Sequence, residues 1–266
     1  MVEGVREQTL VTSDGVRIAA DLVPGLPGSD PSTVIVVVHG FTVSRSKPRL
    51  AKVVAGLRPY ASVVSIDMRG HGASGGQTTV GHFEVLDVAA GVAWARSLGF
   101  SKVVTVGFSL GGAVVLREAA LVDEPDARPD AVVCVSAPAF WFYRGTKVMR
   151  RAHFLVETWL GRRVLHAGKS TRVSGAGWPD PAPVPPHLAA GRLGVLPLLI
   201  VHGDVDRYFP LEHPEAIYRS AVAGGVDAEL MVFPGYGHAE REVTDEILAS
   251  IGAWVRKVTR EEGGNS

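Results

Sequence analysis

The chain has one cysteine, Cys134, which excludes an intramolecular disulfide and any cysteine-based metal site. That thiol lies in the apolar run 131–136, the setting of a buried, inert side chain and not of a nucleophile. Net charge is also missing. The 27 Lys and Arg cancel the 27 Asp and Glu, which speaks against nucleic acid as a partner. No apolar stretch approaches the roughly 20 residues that cross a bilayer, and residues 1–7 are too polar for a signal peptide. Stable membrane insertion is therefore not expected, and a cytoplasmic location is. The histidines lack the spacing of metal ligands, so no metal is expected, and the chemistry that the motifs imply calls for no organic cofactor. There is no internal repeat, and the nearest approach to low complexity is the Pro-rich segment 178–186.

What is present is an ordinary globular composition, 46% hydrophobic and 20% charged over 266 residues, enough for one large α/β domain. Residues 9–12 and 16–21 alternate apolar and polar positions around an Asp-Gly turn and read as a β-hairpin. The unbroken β-branched run 33–38 reads as a strand buried on both faces, 131–135 as another buried strand, and 62–66, 103–108, 198–201 and 229–233 as the remaining strands. Helical spacing fills the intervals: 49–57, 83–98, 110–121, 211–222 and 245–258. In the second of these, Val85, Val88, Ala89, Val92 and Ala93 are expected to form the buried face. Residues 260–266 read as a polar, fraying tail. Strands alternating with helices imply a mostly parallel sheet with right-handed crossovers and helices on both faces. The opening hairpin is then its antiparallel edge.

One stretch carries the chemistry. Gly107-Phe108-Ser109-Leu110-Gly111 follows an apolar strand and opens a helix, the setting of a nucleophile elbow. A serine at such a turn projects its hydroxyl clear of the sheet, and the flanking glycines avoid collisions with neighbouring backbone. The turn also aims the Leu110 N–H, at a helix N-terminus, toward negative charge forming beside Ser109. A serine hydroxyl needs a base to take its proton, and that base needs a carboxylate to orient it. His238, on a Gly-flanked loop after a strand, is the candidate base.

Four further motifs accompany the elbow: His39-Gly40-Phe41, Arg69-Gly70-His71-Gly72-Ala73-Ser74, the segment 202–210, and Gly235-Tyr236-Gly237-His238. With these the sequence resembles the α/β-hydrolase family over residues 7–258. The resemblance implies a catalytic triad of Ser109, Asp206 and His238. In this family the acid sits three residues after the glycine of its loop and four before the proline, which selects Asp206 over the alternative Asp204. Asp204 is then expected to hydrogen-bond loop backbone. The backbone N–H groups of Phe41 and Leu110 become the oxyanion hole. His39, His71 and His202 are expected to be structural. Ser109 separates the chain from the relatives that carry aspartate at the elbow, but cofactor-free oxidoreductases and perhydrolases of this fold also keep a serine triad.

Residues 139–192 break the strand–helix rhythm. They are expected to be a helical cap inserted into a core made of residues 1–138 and 193–266, within a single domain. Phe41, Trp141, Phe142 and Trp159 are candidate pocket residues. Phe154, Leu155, Trp159 and Leu160 fall at helical spacing, as expected of residues that pack a cap onto the sheet. The insertion is basic, with arginines and lysines against only Glu157 and Asp180, either as a solvated face or as an attractor of anions. The implied activity is hydrolysis of a carboxylic ester, with a small-molecule ester or acyl compound as substrate. Thioesterase, amidase or peptidase, and acyltransferase chemistry use the same triad. A receptor or other non-catalytic protein of this fold is the alternative outside enzymes.

Overall fold

The computed structural model describes residues 4–260; of the tail expected over 260–266, Arg260 ends a helix and the rest lies outside the described residues. Eight strands form one sheet: β1 (Arg6–Val11), β2 (Arg17–Val23), β3 (Asp30–Val38), β4 (Ala61–Ile66), β5 (Lys102–Phe108), β6 (Ala131–Val135), β7 (Leu198–Gly203) and β8 (Ala228–Phe233). Their order is β1-β2-β4-β3-β5-β6-β7-β8. The hairpin β1–β2 is antiparallel and joins β4 antiparallel, while every pair from β4 to β8 is parallel.

The central strands are rich in Val and Ile because both of their faces are covered. Along β3, Val34, Val36 and Val38 face one apolar cluster and Ile35 and Val37 the other. The first cluster takes α2 (Glu84–Ser97), α3 (Leu110–Leu121) and α7 (Glu212–Ala223); the second takes α1 (Pro48–Leu57) and α9 (Asp245–Arg260). Cys134 is fully buried on β6, and burial pushes its thiol pKa up, as suits an inert side chain.

The inner face of α2 differs from the expected one. It is Glu84, Asp87, Val88, Gly91, Val92 and Ala95, whereas Val85, Ala89 and Ala93 are only half-buried. The two carboxylates fix this phase, since each anchors a loop. Glu84 accepts from the Thr78 and Thr79 hydroxyls and from the Thr79 and Gly81 N–H groups. Asp87 accepts from Arg69 N–H and its guanidinium, which also reaches Asp14. Burial raises Asp87 to about 7 against the pull of Arg69. A purely apolar stripe was the wrong criterion for this helix.

Residues 139–192 contain α4 (Lys147–Glu157), α5 (Trp159–Lys169) and α6 (Pro186–Ala190), and no strand among them. Thr146 and Thr158 cap α4 and α5 by accepting the Met149 and Gly161 N–H groups. Helix α6 packs against α3 and α7, and Ala190 belongs to the first core cluster. That end of the segment is therefore part of the core. A short helix, α8 (Ala239–Glu242), completes the set.

Candidate active site

Ser109 sits between β5 and α3 with φ 51° and ψ −115°, a strained conformation for a residue with a side chain. A methyl group at Gly107 would strike the Gly111 carbonyl, and one at Gly111 would strike the Val38 carbonyl. Both positions therefore require glycine, and the tight turn holds Ser109 at the C-terminal end of the sheet.

Two further loops converge on it. The Ser109 Oγ–H donates to His238 Nε2 at 2.9 Å, and His238 Nδ1–H donates to Asp206 Oδ2 at 2.7 Å. The other Asp206 oxygen accepts the Tyr208 and Phe209 N–H groups at 2.7 and 3.1 Å, which fixes the carboxylate. Both the Asp206 side chain and most of His238 are buried. Asp204 lies outside this chain and accepts the Gly235 N–H at 2.7 Å, tying its loop to the histidine loop.

The Gly40–Thr42 segment is fixed by two histidines. His39 donates from Nδ1 to the Gly40 carbonyl and accepts the Met68 N–H at Nε2. His71 donates to the Arg69 carbonyl and accepts the Thr42 N–H. Burial lowers both imidazoles to about 4, and the neutral form is the one this bonding pattern needs. Thr42 is held at φ 61°, a further mark of constraint in this loop. Neither Phe41 nor Leu110 N–H finds an acceptor among the described residues. His202 donates to the Phe209 carbonyl and His213 accepts the Ala139 N–H, so both act as braces.

A cavity of about 790 Å³ opens above Ser109. Phe41, Trp141 and Phe142 line it, together with Leu155 from α4 and Thr79 and Val80 from the loop held by Glu84. Trp159 does not. It is 64% exposed, outside the cavity lining, with the Arg163 guanidinium 5.8 Å from its ring. Phe154 and Leu160 are exposed as well. For Trp159 and Leu160 the phase of α5 explains this, because Gly161 and Leu165 take the inward positions, while α4, which carries Phe154, buries no residue.

The sequence assigns no role to two residues at the site, Tyr208 inside the 202–210 motif and Glu240 outside every motif. Tyr208 stacks on His238, ring centroids 4.0 Å apart at 20°. Glu240, 4% exposed and two residues beyond His238, accepts the Gly40 N–H at 3.0 Å. Its partner lies 200 positions away, so only the folded chain reveals the contact.

The alpha/beta hydrolase fold family matches residues 33–177, more than half of the sequence. The chain belongs to that family. A monoacylglycerol lipase of Mycolicibacterium smegmatis is 26% identical over 290 aligned positions covering 96% of this chain and 99% of that protein. Human Protein ABHD12B is 26% identical over 217 positions covering 79% of this chain, but only 56% of its own length is spanned. Among solved structures, Pyrococcus furiosus esterase Pf2001 superposes with a TM-score of 0.72 at 24% identity, covering 95% of this chain and 92% of that one. An esterase and a monoacylglycerol lipase are thus among the proteins similar to this chain. No helix among the described residues is long and apolar enough to cross a membrane.

Proposed function

We propose that this hydrolase cleaves carboxylic esters of apolar acyl groups through a serine acyl-enzyme. The observation that carries the reading is the hydrogen-bonded chain Ser109–His238–Asp206 at 2.9 and 2.7 Å. Ser109 Oγ attacks the carbonyl carbon while its proton passes to His238 Nε2. The imidazolium so formed keeps its Nδ1–H on Asp206, whose charge stabilises it. The Phe41 and Leu110 N–H groups receive the developing oxyanion, each worth roughly 3 kcal/mol of barrier if preorganised. His238 then gives its proton to the leaving oxygen as the C–O bond breaks. Water, activated by the same imidazole, returns the acyl group as a carboxylic acid and regenerates Ser109.

The two clamps on Asp206 and the Tyr208 ring on His238 are expected to keep the base in one orientation through this cycle. The aromatic wall from residues 139–192 takes the acyl chain, as a cap over the core. The reading agrees with the esterase and the monoacylglycerol lipase found among similar proteins. No step calls for a metal or organic cofactor.

Turnover of p-nitrophenyl esters from acetyl to dodecanoyl tests the proposal. Wild-type protein should prefer medium or long chains, and Ser109→Ala should lose at least 10³-fold in kcat/KM. Undiminished turnover by Ser109→Ala would overturn it.

A further inference from the structure

A second cavity, about 250 Å³, adjoins the first and shares Thr42, Val43 and Lys169 with it. Its chemistry is different. The walls bring the hydroxyl residues Thr42, Ser44, Ser46 and Ser170 together with Lys47 and Lys169, and no carboxylate is among them. A carboxylate does stand behind Gly72, namely Asp67. It is already engaged, accepting the Arg45 and Ala73 N–H groups beside the Arg45 guanidinium.

Five of the basic residues of 139–192 have a partner within the fold, Arg163 being the one that lies over the Trp159 ring. Arg150, Arg162 and Arg172 donate to backbone carbonyls, and Arg144 pairs with Glu157. Those are structural. The exposed ammonium groups of Lys169 and Lys47 have no ion-pair or hydrogen-bond partner among the described residues, as is also true of the side chains of Lys147, Arg151 and Arg192, but only Lys169 and Lys47 meet in this cavity. Lys47 also immediately precedes α1, whose first turn holds Arg49 and no acidic residue. Cations at the positive end of a helix are unfavourable on their own and become favourable once an anion sits between them. Thr42 and Ser170, at φ 61° and 50°, are both strained non-glycine residues on this wall.

We propose that this cavity is an anion subsite for a phosphate group carried on the leaving-group portion of the substrate. The inference rests on the ester-hydrolase reading and names its substrate class. The aromatic cavity takes the acyl chain, the scissile carbonyl lies at Ser109, and the phosphate reaches past the oxyanion loop to Lys47, Lys169 and the hydroxyls. Charge-assisted hydrogen bonds from ammonium and hydroxyl groups suit phosphate oxygens. Such a phosphate can be a lipid headgroup or part of a soluble thiol carrier.

The test compares kcat/KM at fixed ionic strength, below micellar concentrations, for two matched pairs. One is 1-decanoylglycerol 3-phosphate against 1-decanoylglycerol; the other is S-decanoyl-4′-phosphopantetheine against S-decanoylpantetheine. The phosphorylated member of at least one pair should be preferred about tenfold or more, and that ratio should fall to within twofold in Lys47→Gln/Lys169→Gln protein. Preference in the glyceride pair alone assigns a lipid headgroup, and preference in the thioester pair alone a soluble carrier. No preference in either pair, or a ratio unchanged by the double substitution, overturns the subsite. Calorimetry of 1-O-decylglycerol 3-phosphate against 1-O-decylglycerol on Ser109→Ala protein gives a readout independent of turnover and of the double variant. Tenfold tighter binding of the phosphate there supports the subsite even if no ester is cleaved, a result that would sink only the hydrolase mechanism. Equal binding refutes the subsite.

Discussion

A serine hydroxyl is a weak nucleophile near neutral pH, and the bonds behind Ser109 are what would change that. They predict an asymmetry between the two aspartates of one loop. Asp206→Asn keeps the shape but loses the charge facing His238 Nδ1, so kcat should fall on the order of 10³–10⁴-fold. Asp204→Asn retains an oxygen for the Gly235 N–H and should stay within about threefold of wild type, by analogy with neutral loop hydrogen bonds. Equal losses in steady-state assays of the two variants would contradict these roles. Both aspartates are visible in the sequence, and the loop spacing of the family points to Asp206, the one that accepts from His238.

Glu240 is the opposite case, because nothing near His238 in the sequence reveals its bond to Gly40 N–H. By holding Gly40 it positions the next amide, that of Phe41. Glu240→Ala should lower kcat about tenfold and weaken an alkyl boronic acid inhibitor equally, leaving KM almost unchanged, while Glu240→Gln keeps an acceptor and recovers most of both. A change in KM or in thermal stability alone would mark the residue as merely structural.

At the scale of elements, the strands were the most legible part. Both-face burial makes β3, β5 and β6 runs of β-branched residues, a pattern that composition alone exposes. Helix phase was less legible. The inner stripe of α2 contains Glu84 and Asp87, which apolar periodicity passes over, and α8 spans only Ala239–Glu242, too short to show a period. In α5, spacing placed Trp159 on a helix but could not say which face would meet the cavity.

The Gly40–Thr42 loop carries a prediction at this scale. His71 has its folded-state pKa lowered to about 4 from an ordinary 6.5, so the unfolded chain binds the proton first. The stability associated with neutral His71 is complete above pH 6.5 and is lost as the pH falls toward 4. Urea unfolding of His71→Gln protein should accordingly show a shallower decline over that window, by up to about 1.4 kcal/mol per pH unit relative to wild type. Buried Asp87, raised to about 7, acts in the opposite sense but is common to both proteins. Identical slopes would mean that His71 is not buried in its neutral form.

For the whole molecule, the sheet brings the ends of β5 and β7, the loop after β8 and residues 139–192 over one face. The fold class, the mostly parallel sheet and its antiparallel edge were readable from the rhythm of strands and helices. The cavities were not, since each is assembled from segments far apart in sequence and its shape depends on which side chains turn inward. The exposed Phe154, Trp159 and Leu160 make the same point, because an apolar residue in a helix need not face the core.

The central claim is that Ser109 is the single nucleophile of this hydrolase, and its most direct test is to react the protein with a fluorophosphonate and map the adduct by peptide mass spectrometry. The account predicts one adduct per chain, on the peptide containing Ser109, with ester turnover lost in proportion to labelling and no adduct on Ser109→Ala. An adduct on another residue, or turnover that survives complete labelling of Ser109, would contradict it.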